Sequence, residues 1–138
     1  MNTYNDLHIL QYNTHKSRNQ VMASLLRDPR VLQYDILAIQ EPWLNPYQST
    51  THHPAKDHFQ LLFPVQREHQ RARTCFFVNK RINPTTWKFQ DITPDLCSLE
   101  IRVQAGTDHH TITIFNVYNP GPRQEPANTL IDLQRALS

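Results

Sequence analysis

The stretch Asp35-Ile36-Leu37-Ala38-Ile39-Gln40-Glu41-Pro42 decides the class of the fold. Its apolar residues follow one another almost without interruption, which is typical of a strand that is covered on both faces. Pro42 has no backbone N–H to donate, so the strand is expected to end near Glu41. We therefore predict a central strand over residues 35–40.

The segment before this stretch has the pattern of a strand, a loop and a helix. Residues 7–12 are short, apolar and β-prone, and the polar residues 13–17 follow them. Apolar residues recur at helical spacing from Val21 to Leu26, and this pattern stops at Asp28-Pro29. Two strands joined through one helix predict a β-α-β opening to an α/β fold.

The remainder of the sequence is rich in strand patterns. Residues 43–57 have little periodicity and predict a long loop, which is often functional in a compact domain. Apolar and polar residues alternate over residues 97–103, which predicts a strand with one face towards a core. The predicted strands are Phe59–Phe63, Thr74–Asn79, Leu96–Val103 and Thr111–Tyr118, with a hairpin turn at Gly106-Thr107-Asp108 and a helix at Glu125–Leu137.

The composition excludes several classes of protein. The 138 residues contain only two glycines, which excludes a dinucleotide-binding fingerprint and a glycine-rich phosphate loop. No apolar stretch approaches the ~20 residues of a membrane-spanning helix and no secretory signal is recognisable, so we expect an intracellular protein. Cys75 and Cys97 have no Cys-x-x-Cys spacing, and we expect both to be reduced core residues.

The charge gives little indication of function. A net charge of +2 is too close to balance to indicate nucleic-acid binding by itself. Arginine suits phosphate through its planar fork, although a solvated loop and strand edge is the simpler interpretation of the basic cluster. This cluster consists of Arg67, Arg71, Arg73, Lys80 and Arg81.

Polar residues follow three of the predicted strands. Asn13 follows the first strand, Glu41 the second and Tyr118-Asn119 the last. Because α/β folds bind ligands at the carboxyl ends of strands, these distant residues can converge on one site. A carboxylate directly after a buried run must be paired, hydrated or metal-bound, and Mg²⁺ suits a site of one or two carboxylates completed by water and phosphate oxygens.

Each of these residues also has an ordinary structural interpretation. Glu41 can be an exposed residue at a strand end, and Asn13 can serve a turn. Tyr118 can be an amphipathic aromatic residue at a strand edge. Trp43 can stack on a base or sugar, or pack beneath the long loop.

Three short motifs together resemble the endonuclease/exonuclease/phosphatase superfamily. They are Gln11-Tyr12-Asn13-Thr14-His15-Lys16-Ser17, Ile39-Gln40-Glu41-Pro42-Trp43 and Asn116-Val117-Tyr118-Asn119-Pro120. Their order and spacing are similar to those of the apurinic-type endonuclease domain of fungal non-LTR retrotransposons. The stretches Cys75–Lys80 and Asp95–Leu99 extend the resemblance over almost the whole chain.

The resemblance implies an α/β fold that is the N-terminal half of a four-layer α/β sandwich, with mostly antiparallel or mixed sheets and flanking helices. It implies cleavage of phosphodiester bonds in DNA with Mg²⁺ or Mn²⁺ as the cofactor. By motif position, Asn13, Glu41 and Tyr118 are the catalytic residues, and Glu41 is the metal ligand. The candidate substrate-binding residues are Lys16, Trp43 and Asn119.

The resemblance does not extend to the whole catalytic apparatus of the family. Members also carry an Asp-x-Asn motif and a late Asp-His pair, whereas Asp132 is followed here by Leu133-Gln134 and no histidine follows His110. We therefore expect residues 1–138 to form a single truncated domain that cuts nucleic acid weakly or not at all. The missing half or a reverse transcriptase region is expected elsewhere in the element, and the complete domain is expected to act on nuclear DNA.

Two other functions stay open. A phosphatase of the same superfamily would act on lipid or small-molecule phosphates, although the long loop and Trp43 favour nucleic acid. A non-catalytic, β-rich interaction domain would use Asn13, Glu41 and Tyr118 only as turn residues. The catalytic interpretation requires these three side chains to face one cleft at the strand ends.

Overall fold

The protein, described here by a computed structural model, is a mixed α/β chain with two β-sheets. The structure describes residues 7–14, 24–40, 55–63, 72–118 and 128–137. The elements are β1 (Ile9–Asn13), β2 (Ile36–Gln40), β3 (Phe59–Leu62), β4 (Thr74–Asn79), β5 (Trp87–Thr93), β6 (Leu96–Ala105), β7 (Asp108–Val117) and α1 (Asn128–Leu137). Residues 24–27 are also helical, and 3₁₀ turns cover Pro29–Gln33 and Pro84–Thr86.

The first sheet has the strand order β1-β2-β4-β3. β1 and β2 are parallel, and β4 is antiparallel to both of its neighbours. Helical residues 24–27 lie between the two parallel strands in the sequence, as the β-α-β pattern predicts. The parallel pairing also brings the carboxyl ends of β1 and β2 to the same edge of the sheet.

The β2 strand is buried on both faces, as its nearly continuous apolar sequence predicts. Leu37 and Ile39 point into an apolar cluster that also contains Leu26 and Val31, from the helical segment between β1 and β2. Ile36 and Ala38, which alternate with these two residues along the strand, point to the opposite face, because successive side chains of a strand alternate between faces. They enter a second apolar cluster, which the two sheets share.

The second sheet is antiparallel and has the order β5-β6-β7. Cys97, Leu99 and Ile101 of β6 enter the shared cluster, where Phe76 of β4 meets Phe89 of β5 edge to face, with ring centroids 6.3 Å apart. The sheets therefore pack face to face. On the outer face of the second sheet, the end of α1 borders a cavity of about 670 Å³. The complete four-layer sandwich and the domain limits of residues 1–138 stay predictions.

Strand pairing corrects the predicted ends of several elements. β4 has the predicted bounds, but β6 and β7 continue to the hairpin turn at Gly106. Gly106 has a φ of 65°, a left-handed conformation that glycine adopts without strain. Most residues next to this turn are polar, so the apolar alternation did not predict that the pairing of β6 with β7 continues to the turn. The predicted start of the last helix, at Glu125, lies outside the described residues.

The β5 strand is missing from the predicted elements. Trp87 and Phe89 are its apolar residues packed against the shared cluster, and polar residues separate and follow them. The pairing with β6 also shifts register between Asp91 and Thr93, which interrupts the alternation. This segment forms a strand in spite of its short, interrupted pattern because its backbone pairs with the edge of β6.

An ion pair between the buried carboxylate of Asp35 and the exposed Arg81 fixes the beginning of β2. Asp35 is 1% exposed and accepts hydrogen bonds from the backbone N of His8, at 2.8 Å, and from Nη2 of Arg81, at 2.7 Å. Arg81 also donates to the carbonyl oxygens of Leu32 and Gln33. The carboxylate thus ties the chain before β1 and the turn after β4 to the start of β2.

Candidate active site

The carboxyl ends of β1 and β2 lie side by side. Asn13, the last residue of β1, is the register partner of Gln40, the last residue of β2. The backbone N of Thr14 donates to the carbonyl oxygen of Gln40 at 3.0 Å, which extends the pairing by one residue. Asn13 therefore lies at the carboxyl end of β1, beside the end of β2.

The end of β7 is joined to the same edge through Asn116, whose side chain is 1% exposed. Its Nδ2 donates to the carbonyl oxygen of Ile39 at 3.1 Å and to that of Cys75 at 2.8 Å. Its Oδ1 accepts a hydrogen bond from Nε2 of Gln40 at 2.5 Å. One amide of the second sheet thus contacts two strands of the first.

A chain of hydrogen-bonded side-chain amides joins β1, β2 and β7 near their carboxyl ends. The Nε2 atom of Gln11 donates to Oε1 of Gln40, and Nε2 of Gln40 donates in turn to Oδ1 of Asn116. We call Gln11, Gln40 and Asn116 the amide relay. Gln40 and Asn116 are buried, and buried amides are costly when unpaired, so their hydrogen bond fixes β2 relative to β7. Gln11 is exposed and adds a link from β1.

Tyr118 lies directly after β7 and is held by contacts to two other segments. Its backbone N donates to the carbonyl oxygen of Asp95 at 2.8 Å. The guanidinium carbon of Arg73 lies 4.7 Å from the centroid of the Tyr118 ring. Arg73 also donates to both carboxylate oxygens of Asp95, from Nε at 2.6 Å and from Nη2 at 2.9 Å.

The structure therefore describes two of the predicted catalytic residues. Asn13 belongs to the end of β1, and Tyr118 follows β7, which the amide relay joins to β2. Glu41 is the residue after Gln40 in the sequence but lies outside the described residues. Lys16, Trp43 and Asn119, the predicted substrate-binding residues, also lie outside them. The catalytic and binding roles of all six residues stay predictions.

The described side chains at this edge do not make a metal site by themselves. Within the described ranges, no group of three or more His, Cys, Asp or Glu residues is placed to hold a metal ion. The relay and Asn13 supply neutral amides, and the carboxylate of Asp95 is already paired with Arg73. Neutral donors can orient a phosphate, whereas a bound cation would need the carboxylate of Glu41.

Both cysteines are buried and free, as predicted. Burial raises the pKa of Cys75 well above its ordinary value and raises the pKa of Cys97 to about 12. The Sγ of Cys97 lies 3.3 Å from the hydroxyl oxygen of Thr74 and donates to it. Because a nucleophilic cysteine must be a thiolate, neither residue is suited to attack a substrate at neutral pH.

The described members of the basic cluster have structural partners. Arg73 pairs with Asp95, and Arg81 pairs with Asp35. The ammonium group of Lys80 donates to the backbone oxygen of Lys56. These contacts agree with the simpler interpretation of this cluster, while Arg67 and Arg71 lie outside the described residues.

The site residues predicted from the sequence did not include the amide relay or the Arg73–Asp95 pair. The sequence contains one indication of the relay. Gln40 falls on the same face of β2 as Ile36 and Ala38, which points towards the core, where an apolar residue is the rule. Asn116 continues the inward-facing positions of β7 in the same way. A polar residue at an inward position must find a buried partner, but the pattern does not name that partner.

The chain is similar in structure to the endonuclease domain of TRAS1, a telomere-specific non-LTR retrotransposon, with a TM-score of 0.62 and 15% sequence identity. The match covers 95% of this chain and 52% of the other, so the chain spans about half the length of the structure that it matches. No protein-family model and no curated protein sequence matches it. The likeness shows a common fold over about half of that structure.

Proposed function

We propose that the chain is part of a metal-dependent endonuclease domain that nicks DNA, of the kind found in non-LTR retrotransposons. The observation that carries the proposal is the meeting of three strand ends: Asn13 pairs with Gln40, and Gln40 bonds to Asn116 just before Tyr118. Ligands of α/β folds bind at such ends. The similarity in fold to a retrotransposon endonuclease domain supports nucleic acid as the substrate.

In this proposal, each candidate residue has one role. Glu41 binds Mg²⁺ or Mn²⁺, and the bound ion would polarise a phosphoryl oxygen and stabilise the charge that develops on it. Asn13 orients the phosphate through its amide, and Tyr118 donates its phenol to a phosphate oxygen. Lys16 and Asn119 bind the DNA backbone, and Trp43 stacks on a base or sugar.

The proposal includes a requirement for more than these 138 residues. The chain corresponds to 52% of the domain that it matches in fold, and the described residues contribute neutral amides and a phenol to the strand-end edge. We expect residues 1–138 alone to nick DNA weakly or not at all. The partners of the active form are DNA, the remainder of the domain and a reverse transcriptase region of the same element, acting in the nucleus.

The test is a plasmid-nicking assay with Mg²⁺ or Mn²⁺. Residues 1–138 are compared with a protein extended through the next ~100 residues of the reading frame, a length expected for a larger single domain. We expect the extended protein to convert supercoiled plasmid to the open circle and Glu41→Ala to abolish this conversion. Binding of Mn²⁺, followed by electron paramagnetic resonance, is expected to weaken in the same variant.

The matched control is Glu100→Ala, because Glu100 is an exposed carboxylate on the outer face of the second sheet. It should leave nicking and Mn²⁺ binding unchanged. Nicking that survives Glu41→Ala would contradict the metal role of Glu41. An extended protein that releases phosphate from lipid or small-molecule phosphates, but does not nick DNA, would replace the nuclease proposal with the phosphatase.

A further inference from the structure

Asp95 holds Arg73 and Tyr118 at the same time. Its carboxylate accepts two hydrogen bonds from the guanidinium of Arg73, and its carbonyl oxygen accepts one from the backbone N of Tyr118. The backbone N of Arg73 donates to the carbonyl oxygen of Pro94 at 2.7 Å. The start of β4, the turn before β6 and the end of β7 are therefore fastened together at this point.

The stacking of Arg73 on Tyr118 depends on this arrangement. A guanidinium within about 6 Å of a ring centroid is attracted to the face of the ring, and 4.7 Å satisfies this condition. Because the carboxylate of Asp95 grips Nε and Nη2, the plane of the guanidinium is fixed before any ligand arrives. The ring of Tyr118 therefore has a rigid surface on one side.

This ion pair differs from an ordinary surface pair. The side chains of Arg73 and Asp95 are 27% and 17% exposed, whereas Arg30, which pairs with Asp28 in the turn before β2, is 84% exposed. Exposed pairs contribute little because water screens them and the side chains must be ordered. Partial burial with two-point contact makes the Arg73–Asp95 pair a fixed part of the structure.

We propose that Arg73, held by Asp95, is a positioning residue that fixes the ring of Tyr118 at the candidate active site, an inference that rests on the proposed function of that site. The phenol of Tyr118 must meet a phosphate oxygen at hydrogen-bond distance, and a small displacement of the ring would remove that contact. Arg73 acts through Tyr118, so its effect on cleavage disappears when the phenol is absent.

The first test compares Arg73→Met, Tyr118→Phe and the double variant in the nicking assay, each made in the extended protein. We expect Arg73→Met to lower kcat by about tenfold with little change in KM, because the ring is displaced while DNA binding is retained. In protein that already carries Tyr118→Phe, the Arg73→Met substitution should cause no further loss of kcat. A rise in KM with unchanged kcat, or an equal loss on both backgrounds, would overturn the positioning role.

The second test does not depend on cleavage. In protein labelled with ¹³C-tyrosine, the ring signal of Tyr118 is identified among the five tyrosines by its disappearance in Tyr118→Phe. Arg73→Met should shift this signal, and Arg30→Met, the matched change in an exposed ion pair, should not. An unshifted signal in Arg73→Met would refute the stacking contact.

A third variant keeps both tests decisive. Arg73→Lys retains the positive charge but cannot grip both oxygens of Asp95, so it should recover part of the kcat and part of the ring shift. It replaces Arg73→Met in both tests if that variant does not fold. If the extended protein without substitutions cuts no DNA, the proposed function fails, while the ring signal still decides whether Arg73 positions Tyr118.

Discussion

Replacement of Asn116 by leucine tests how the two sheets are joined. The Asn116 amide donates to the carbonyl oxygens of Ile39 and Cys75 and accepts from the amide of Gln40. Leucine has nearly the same size but no polar atoms. Two buried carbonyl groups would lose a donor, and one amide would lose its acceptor.

The expected loss of stability follows from these three groups. A buried polar group left without its partner costs about 1 to 3 kcal/mol, so three of them lower the free energy of unfolding by about 3 kcal/mol or more. This is a large share of the roughly 5 to 15 kcal/mol that stabilises an ordinary domain. With the usual urea dependence of about 1 to 3 kcal/mol per M, the midpoint of urea unfolding should fall by about 1 to 3 M.

The assay is urea unfolding followed by the fluorescence of the two tryptophans. The control is Thr111→Val, a polar-to-apolar change of similar size at an exposed position of the same strand, which should shift stability by less than about 0.5 kcal/mol. If Asn116→Leu is no more destabilising than this control, the amide does not hold the sheets together.

Two further predictions concern the buried acid and the buried thiols. Asp35→Asn removes the charge that Arg81 faces, so the free energy of unfolding should fall by about 2 kcal/mol, and an equal loss in the exposed control Asp57→Asn would contradict this. The raised pKa values keep Cys75 and Cys97 protonated in the folded state, whereas the thiols of the unfolded chain ionise near pH 9. The contribution of the protonated thiols to the free energy of unfolding is therefore fully present below about pH 9. It is lost as the pH rises towards 12, by up to about 1 kcal/mol per pH unit for each thiol. Cys97→Ala should show a shallower decline in urea unfolding at pH 8 to 11, and an unchanged slope would contradict the burial argument.

The class of the fold could be predicted from the sequence because it depends on local patterns. The apolar run Ile36–Ile39 required cover on both faces of one strand, and the structure provides an apolar cluster on each side. The bounds of β4 followed from its composition in the same way. β5 could not be found, because its pairing with β6 compensates for a weak and interrupted pattern.

The candidate site was only partly predictable. Polar residues at strand ends indicated Asn13 and Tyr118 as candidates, and the structure describes both at strand ends, while their catalytic roles stay predictions. The structure added partners that are far apart in the sequence, such as Gln40 and Asn116, which are 76 residues apart. A pattern within one strand indicates which face a side chain occupies, but not which strand of the other sheet lies opposite.

The sequence by itself determined the strands that must be buried, the reduced state of the cysteines, and the exclusion of phosphate loops by the two glycines. The tertiary structure decided the order of the strands, the amide relay and the contact of Arg73 with Tyr118. The reason is that burial follows from local hydrophobicity. Each hydrogen bond between the sheets instead needs two groups that only the packing of the whole chain brings together.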